Sequence, residues 1–115
     1  MKEVNGSILY NEKEYKLVFN LNVMEVIQDK YGSLNAWSGL IEPEEGEPNI
    51  KALKYGFTQM LNEAIDIENE ENGTNIQPFT EKQVGRMLSE IGLEKVGETL
   101  RKTVVESTQS SEKNA

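Results

Sequence analysis

The chain has no cysteine and no histidine among its 115 residues. Disulfides, thiolate zinc sites and mechanisms that use a Cys or a Ser–His pair are therefore excluded. Long apolar runs are also lacking, since no stretch approaches the roughly 18 residues of a membrane span. Residues 1–5 (MKEVN) do not form the apolar core of a signal peptide. We expect a cytoplasmic protein.

Basic residues are in the minority. Twelve Lys and Arg residues stand against 20 Asp and Glu residues, and the net charge is −8. Nucleic acids and anionic lipids bind to Lys and Arg that displace counterions, so an acidic surface disfavours both partners. The sequence predicts no nucleic-acid partner and no membrane partner.

Alternating apolar residues near the N-terminus predict a β-hairpin over residues 6–19. Ile8 and Tyr10 alternate on the first strand, and Tyr15 begins the same pattern on the second. Residues 11–13 supply the turn. Because Glu12 adopts a positive φ less readily than glycine, we expect a loop longer than two residues. An isolated hairpin is marginal in water, so this one must pack on other elements.

Apolar residues at helical spacing predict four or five helices after the hairpin. The first is capped by Asn20 or Asn22 and ends at Gly32, and a short helix follows over residues 34–40. A long helix begins after Asn49 and keeps its apolar stripe to residue 64. Polar loops are predicted on both sides of this helix, at residues 42–48 and 68–79.

The last helices begin at Thr80, which forms a capping box with Gln83. Gly92 separates this helix from a final one that continues to about Ser107. Residues 108–115 contain no large apolar side chain and are expected to be a disordered tail. The sequence thus predicts an α+β fold, mainly α, with a single globular domain over residues 1–107.

Acidic segments offer the only hints of chemistry. Residues 66–73 resemble a calcium loop, but neither register places the closing carboxylate at position twelve. The carboxylates of residues 42–47 lie in a loop rich in proline and glycine, which fixes neither their separation nor a difference in pKa. We expect no catalytic, cofactor-binding or metal-ligating residue, and no enzymatic activity.

Residues 80–105 have the outline of a helix-turn-helix, with two short helices joined through Gly92. A helix that reads DNA presents Arg, Lys, Asn or Gln near its N-terminus. Here Glu94 and Glu98 would face phosphate, and the basic pair Arg101 and Lys102 comes late. An ordinary αα-hairpin is the favoured interpretation, and a small DNA-binding regulator is an alternative.

Trp37 is the aromatic residue for which we weigh an interaction role. Aromatic residues at helical spacing are core residues by default. Trp37, however, lies on the weakest predicted helix, and tryptophan is enriched at interaction hot spots. Our hypothesis is that Leu34, Trp37 and Leu40 form part of a protein-binding surface.

The order of these segments resembles that of the small tail assembly chaperones of phages and prophages of Gram-positive bacteria. The resemblance is carried by residues 11–19 (NEKEYKLVF), 30–34 (KYGSL), 61–64 (LNEA) and 79–85 (FTEKQVG), with Trp37 following the second segment. It spans residues 6–100. Glu12 departs from the glycine that is associated with this turn in the family.

The resemblance implies a non-enzymatic protein that binds the phage tape measure protein and helps tail tube subunits to assemble around it. The tail tube protein is a second candidate partner. The resemblance also implies residence in the cytoplasm of the host cell and absence from the mature virion. Self-association is a further expectation, since exposed apolar strips promote it. A structural tail subunit is another alternative, which would be found in purified virions.

Overall fold

A computed structural model describes the backbone of residues 4–113 and the side chains of residues 6–104. Two antiparallel strands form a hairpin, and five helices follow it within this range. The strands are β1 (Val4–Tyr10) and β2 (Lys13–Phe19). The helices are α1 (Leu21–Tyr31), α2 (Leu34–Ile41), α3 (Ile50–Asn72), α4 (Glu81–Ile91) and α5 (Leu93–Lys113). The predicted α+β fold, mainly α, is confirmed.

The turn between β1 and β2 is tighter than predicted. Tyr10 pairs with Lys13 across the hairpin, which leaves a loop of only Asn11 and Glu12. Their φ angles are 51° and 64°, and a positive φ at both central residues is what a type I′ turn requires. The expectation of a longer loop is wrong. The register that aligns Ile8 with its partner on β2 is maintained despite the cost of a positive φ at Glu12.

Short polar side chains cap four helices at the predicted positions. Asn20, Ser33, Asn49 and Thr80 each accept a hydrogen bond from the backbone N–H three residues on, at 3.2, 3.0, 3.0 and 3.1 Å. Gln83 completes the capping box by accepting a hydrogen bond from the Thr80 N–H at 2.8 Å. Each cap satisfies a backbone donor that the first turn of a helix leaves free.

Two helices extend beyond their predicted ends. α3 continues to Asn72, so the predicted polar loop begins only at Gly73, whose φ is 64°. α5 continues to Lys113 instead of ending near Ser107. No glycine or proline interrupts either extension, so the helix persists after the apolar stripe has ended. The predicted disorder of residues 108–115 stays a prediction, because these side chains, and all of residues 114–115, lie outside the described residues.

α3 is the central helix of the domain. β2 packs against α3 and β1 packs against α5, while α1, α2 and α4 also contact α3. The core takes buried side chains from all of these elements, including Leu17, Phe19, Ile27, Trp37, Phe57, Met60, Leu61, Val84 and Val96. In the part of the chain that is described, no helix has the length and apolarity needed to cross a membrane.

Candidate protein-binding grooves

Trp37 lies in the core and not on the surface. Its side chain is fully buried, and its ring stacks on Phe19 with centroids 6.2 Å apart. The indole N–H donates a hydrogen bond to the Ala52 carbonyl at 3.0 Å. Leu34 is half-buried and Leu40 is 37% exposed. Trp37 is therefore not on the surface, where the hypothesis of a protein-binding surface had placed it. A binding role for Leu34 and Leu40 stays a prediction.

Exposed apolar side chains point instead to grooves beside α3. On the described surface the large apolar residues Leu9, Leu21, Leu40, Ile50, Ile76 and Leu93 are exposed. Ile50 and Leu93 line one groove, and Ile76 lines another. Ile50 and Leu93 are the first residues of α3 and α5. Each begins an apolar stripe in the sequence. Their position at a helix start was the signal that could have marked them as exposed.

The first groove, which we call the basic groove, lies between the N-terminal half of α3, α4 and the start of α5. Its volume is about 450 Å³. Its apolar lining comes from Ile50, Leu53, Leu88 and Leu93. Three cationic side chains, Lys54, Lys82 and Arg86, also line it. The groove therefore offers apolar contacts and positive charge side by side.

The three cationic side chains of the basic groove form no salt bridge within the described chain. The salt bridge that the described residues do form joins Arg101 to Glu42 at 3.1 Å, and it lies outside the basic groove. No described carboxylate lines the groove. On a chain with a net charge of −8, this is a local reversal of sign.

Gly85 gives Lys54 its place in the basic groove. A Cβ added at Gly85 would stand 3.2 Å from Cδ of Lys54, which is tighter than ordinary van der Waals contact. The lysine stem of α3 therefore packs on α4 where α4 has no side chain. Such packing of the stem leaves the ammonium group free to reach water or a ligand.

The second groove, which we call the hairpin groove, lies between β2, the C-terminal half of α3 and residues 73–80. Its volume is about 390 Å³. Apolar and charged residues both line it: Tyr15, Leu61, Ala64, Ile65, Ile76 and Phe79, with Lys13, Glu14, Lys16 and Glu68. The rings of Tyr15 and Phe79 meet edge to face with centroids 5.6 Å apart. Side chains of both charges thus line the hairpin groove, whereas the charged side chains that line the basic groove are all cations.

Two asparagines of α3 fix residues 73–80, which we call the return segment. Asn62 accepts a hydrogen bond from the Phe79 N–H at 2.8 Å and donates one to the Phe79 carbonyl at 3.0 Å. Asn69 makes the same pair of bonds with Ile76, at 3.0 and 3.1 Å. Each amide satisfies both backbone groups of one residue, as a neighbouring strand would. The return segment is therefore a fixed wall of the hairpin groove.

Tyr31 and Tyr55 form a packing contact near the start of α4. Their ring centroids are 5.8 Å apart, and the Lys30 ammonium lies 4.6 Å from the centroid of Tyr55. Burial raises the pKa of both phenols, and the negative charge of Glu81 raises both further. Both tyrosines therefore stay neutral over the physiological range of pH.

The helices of the alternative DNA-binding interpretation are α4 and α5. Only Gly92 separates them, whereas a helix-turn-helix joins its helices through about three or four residues. Val84 and Val96 are buried in the core, and Arg101 is paired with Glu42. Both helices pack against the rest of the domain, α4 on α3 and α5 on β1. The αα-hairpin interpretation and the DNA-binding alternative both stay predictions.

The acidic segment that resembles a calcium loop is helical. Residues 66–72 belong to α3, so they do not form the loop that calcium coordination needs. Among the described residues, no group of carboxylates is placed to hold a metal ion.

Comparison of the chain with protein-family models, with curated proteins and with solved structures gave no match. The grooves, together with the order of the sequence segments, are therefore what supports a functional assignment.

Proposed function

We propose that this chain is a non-enzymatic phage tail assembly chaperone. It binds the tape measure protein, keeps it soluble in the host cytoplasm and assists assembly of the tail tube. The observation that carries the proposal is a pair of open, partly apolar grooves along the central helix α3. The order of sequence segments that resembles these chaperones adds support.

Open apolar grooves suit a protein that holds a client. An amphipathic client helix places its apolar side chains into a groove of this kind. The volumes of about 450 and 390 Å³ are comparable with those of small-molecule sites, which range from about 300 to 1,000 Å³. Each groove therefore accepts a few side chains of a client and not a whole domain.

The surrounding scaffold and charge fit the same role. Two helices that wall the basic groove, α3 and α4, begin at a side-chain cap. Two asparagines hold the return segment at the hairpin groove, so these groove walls are formed before a client arrives. A preformed site reduces the entropy lost on binding. The net charge of −8 keeps a chaperone and its complexes soluble.

The proposal extends to partners and location. The tail tube protein is a second candidate client, and a homo-oligomer is a further expectation because Leu9 and Leu21 are exposed outside both grooves. The finished virion is expected to lack this chain, since a chaperone leaves after assembly.

Co-expression with the tape measure protein of the same genome tests the proposal. We expect the tape measure protein to become soluble and to elute with this chain. Leu93→Gln should reduce the co-eluting fraction. Leu9→Gln makes the same change at an exposed leucine outside the grooves and controls for a loss of self-association. A tape measure protein that stays insoluble and unbound would overturn the proposal. Duplex binding in a low-salt gel shift, or this chain in purified virions, would favour the two alternatives.

A further inference from the structure

We propose that the basic groove binds an amphipathic helix whose apolar stripe is flanked by carboxylates. The inference rests on the proposed function for the identity of the client, and on the groove alone for its chemistry. The chain is expected to select an acidic helix in preference to a neutral or basic one.

The charge that lines the basic groove is opposite in sign to the net charge of the chain. Acidic residues outnumber basic ones by 20 to 12 over the chain, yet the charged side chains that line this groove are Lys54, Lys82 and Arg86. They form no salt bridge within the described residues. Opposite charge on a partner would therefore meet free cations, which both steers the encounter and fixes the register.

The spacing of two of the cations matches the repeat of an α-helix. Lys82 and Arg86 are four residues apart on α4, so they occupy one face of that helix. Carboxylates four residues apart on a client helix have the same spacing, since both are set by the α-helical repeat. A client helix that lies along α4 therefore brings two of its carboxylates to two cations.

The apolar lining separates a helix from a polyanion such as nucleic acid. Ile50 and Leu93 are 47% and 54% exposed at the groove. A phosphate backbone would contact the cations and leave both side chains in water, and the net charge would oppose it. A leucine or phenylalanine of a client helix buries them, and such burial stabilises the complex in proportion to the apolar area removed from water.

A second copy of this chain matches the groove less well. Its most acidic helical stretch is residues 66–71, at the end of α3. Within that stretch Ile67 is the one apolar residue, and it is half-buried against its own chain. This stretch would neutralise the cations without filling the apolar part of the groove.

Two designed peptides test the inference with the full chain. Both are helical, with leucines at positions i, i+3 or i+4, and i+7; one carries glutamates beside the leucines, and the other carries lysines at the same positions. Fluorescence anisotropy of the labelled peptides measures binding. We expect the acidic peptide to bind at least about tenfold more tightly than the basic one at low salt. Its affinity should fall between about 0.1 M and 1 M salt, as the Debye length shortens from about 10 Å to 3 Å.

Charge reversal identifies the groove. Lys82→Glu/Arg86→Glu should weaken binding of the acidic peptide by about tenfold or more. Lys95→Glu/Lys102→Glu changes the net charge equally, at two exposed lysines of α5 outside the basic groove, and should have a much smaller effect. All four positions are on the surface, so circular dichroism should show the same helix content for both variants.

Each outcome decides the inference. Equal binding of the two peptides, an equal loss in both charge variants, or binding only through self-association of the chain would overturn it. Tight binding of duplex DNA that Lys82→Glu/Arg86→Glu abolishes would also overturn it, in favour of a polyanion site. If the acidic peptide binds but the tape measure protein does not, the inference holds and the proposed function fails. If the tape measure protein binds the reversed variant unchanged, the proposed function holds and the inference fails.

Discussion

The indole of Trp37 fills the space that a side chain at Gly56 would occupy. A Cβ on Gly56 would overlap Cζ2 of the ring. Gly56 lies in the interior of α3, where glycine costs about 1 kcal/mol relative to alanine. The glycine is needed at this position, because α2 can bring Trp37 against α3 only where α3 has no side chain.

Gly56→Ala is therefore expected to destabilise the protein although alanine is the better helix former. The new methyl group would displace a fully buried ring, and overpacking of this kind costs about 1–3 kcal/mol. Gly97→Ala is the matched control, since Gly97 lies within α5 and a Cβ there would meet nothing within 4 Å. It should stabilise by about 0.5–1 kcal/mol. Urea unfolding monitored by Trp37 fluorescence measures both, and a stabilising Gly56→Ala would contradict the close packing.

Local signals explain which parts of the fold sequence analysis could predict. The caps at Asn20, Ser33, Asn49 and Thr80 depend on residues three positions apart, so the pattern is visible without the fold. The end of α3 was misplaced because the apolar stripe stops before the helix does. The last turns of α3 carry Asn69, which pairs with a segment that returns only after Gly73. That pairing is set by tertiary structure.

The grooves could not be predicted from sequence either, because they too are formed by tertiary structure. Helical spacing placed Ile50 and Leu93 among apolar stripes, but whether a residue at a helix start is covered depends on where the neighbouring helices cross. Trp37 is the opposite case, a residue that was considered for the surface and is buried. Its helix looks weak in sequence, yet the side chain is the largest in the core, because Gly56 leaves room for it. Contacts between distant residues decided both cases.

Glu12→Gly should stabilise the protein. Glu12 has a φ of 64° in the two-residue turn, and a residue with a side chain loses about 1–2 kcal/mol in this region relative to glycine. The greater entropy of glycine in the unfolded chain offsets part of the gain, which leaves a net stabilisation of about 0.5–1 kcal/mol. Thermal unfolding measures it. Lys13→Gly, one residue on and within β2, should instead destabilise, and the same sign for both variants would argue against the tight turn.

Asn62→Ala should loosen the return segment. The change leaves the N–H and the carbonyl of Phe79 without their side-chain partner. These groups are half-buried, so the cost is a part of the roughly 1–3 kcal/mol of a fully buried unsatisfied group. Hydrogen exchange at the Phe79 amide should become faster. Asn69→Ala removes the equivalent bonds at Ile76 in a more exposed position, so its effect on global stability should be smaller. Equal effects of the two variants would show that burial at Asn62 is not the deciding factor.

Leu40→Gln separates the predicted surface of Leu34, Trp37 and Leu40 from the basic groove. Trp37→Ala cannot make this distinction. Removing a buried tryptophan costs about 3–5 kcal/mol, a large part of the stability of a typical domain, so a loss of binding would not be distinguishable from a loss of folding. Leu40 is 37% exposed, so its replacement should leave the fold intact. We expect Leu40→Gln to retain the tape measure protein in co-purification, while Leu93→Gln at the basic groove releases much of it. The reverse result, with Leu93→Gln inert and Leu40→Gln defective, would move the binding site to α2, because the two variants make the same chemical change and differ only in which surface loses an apolar contact.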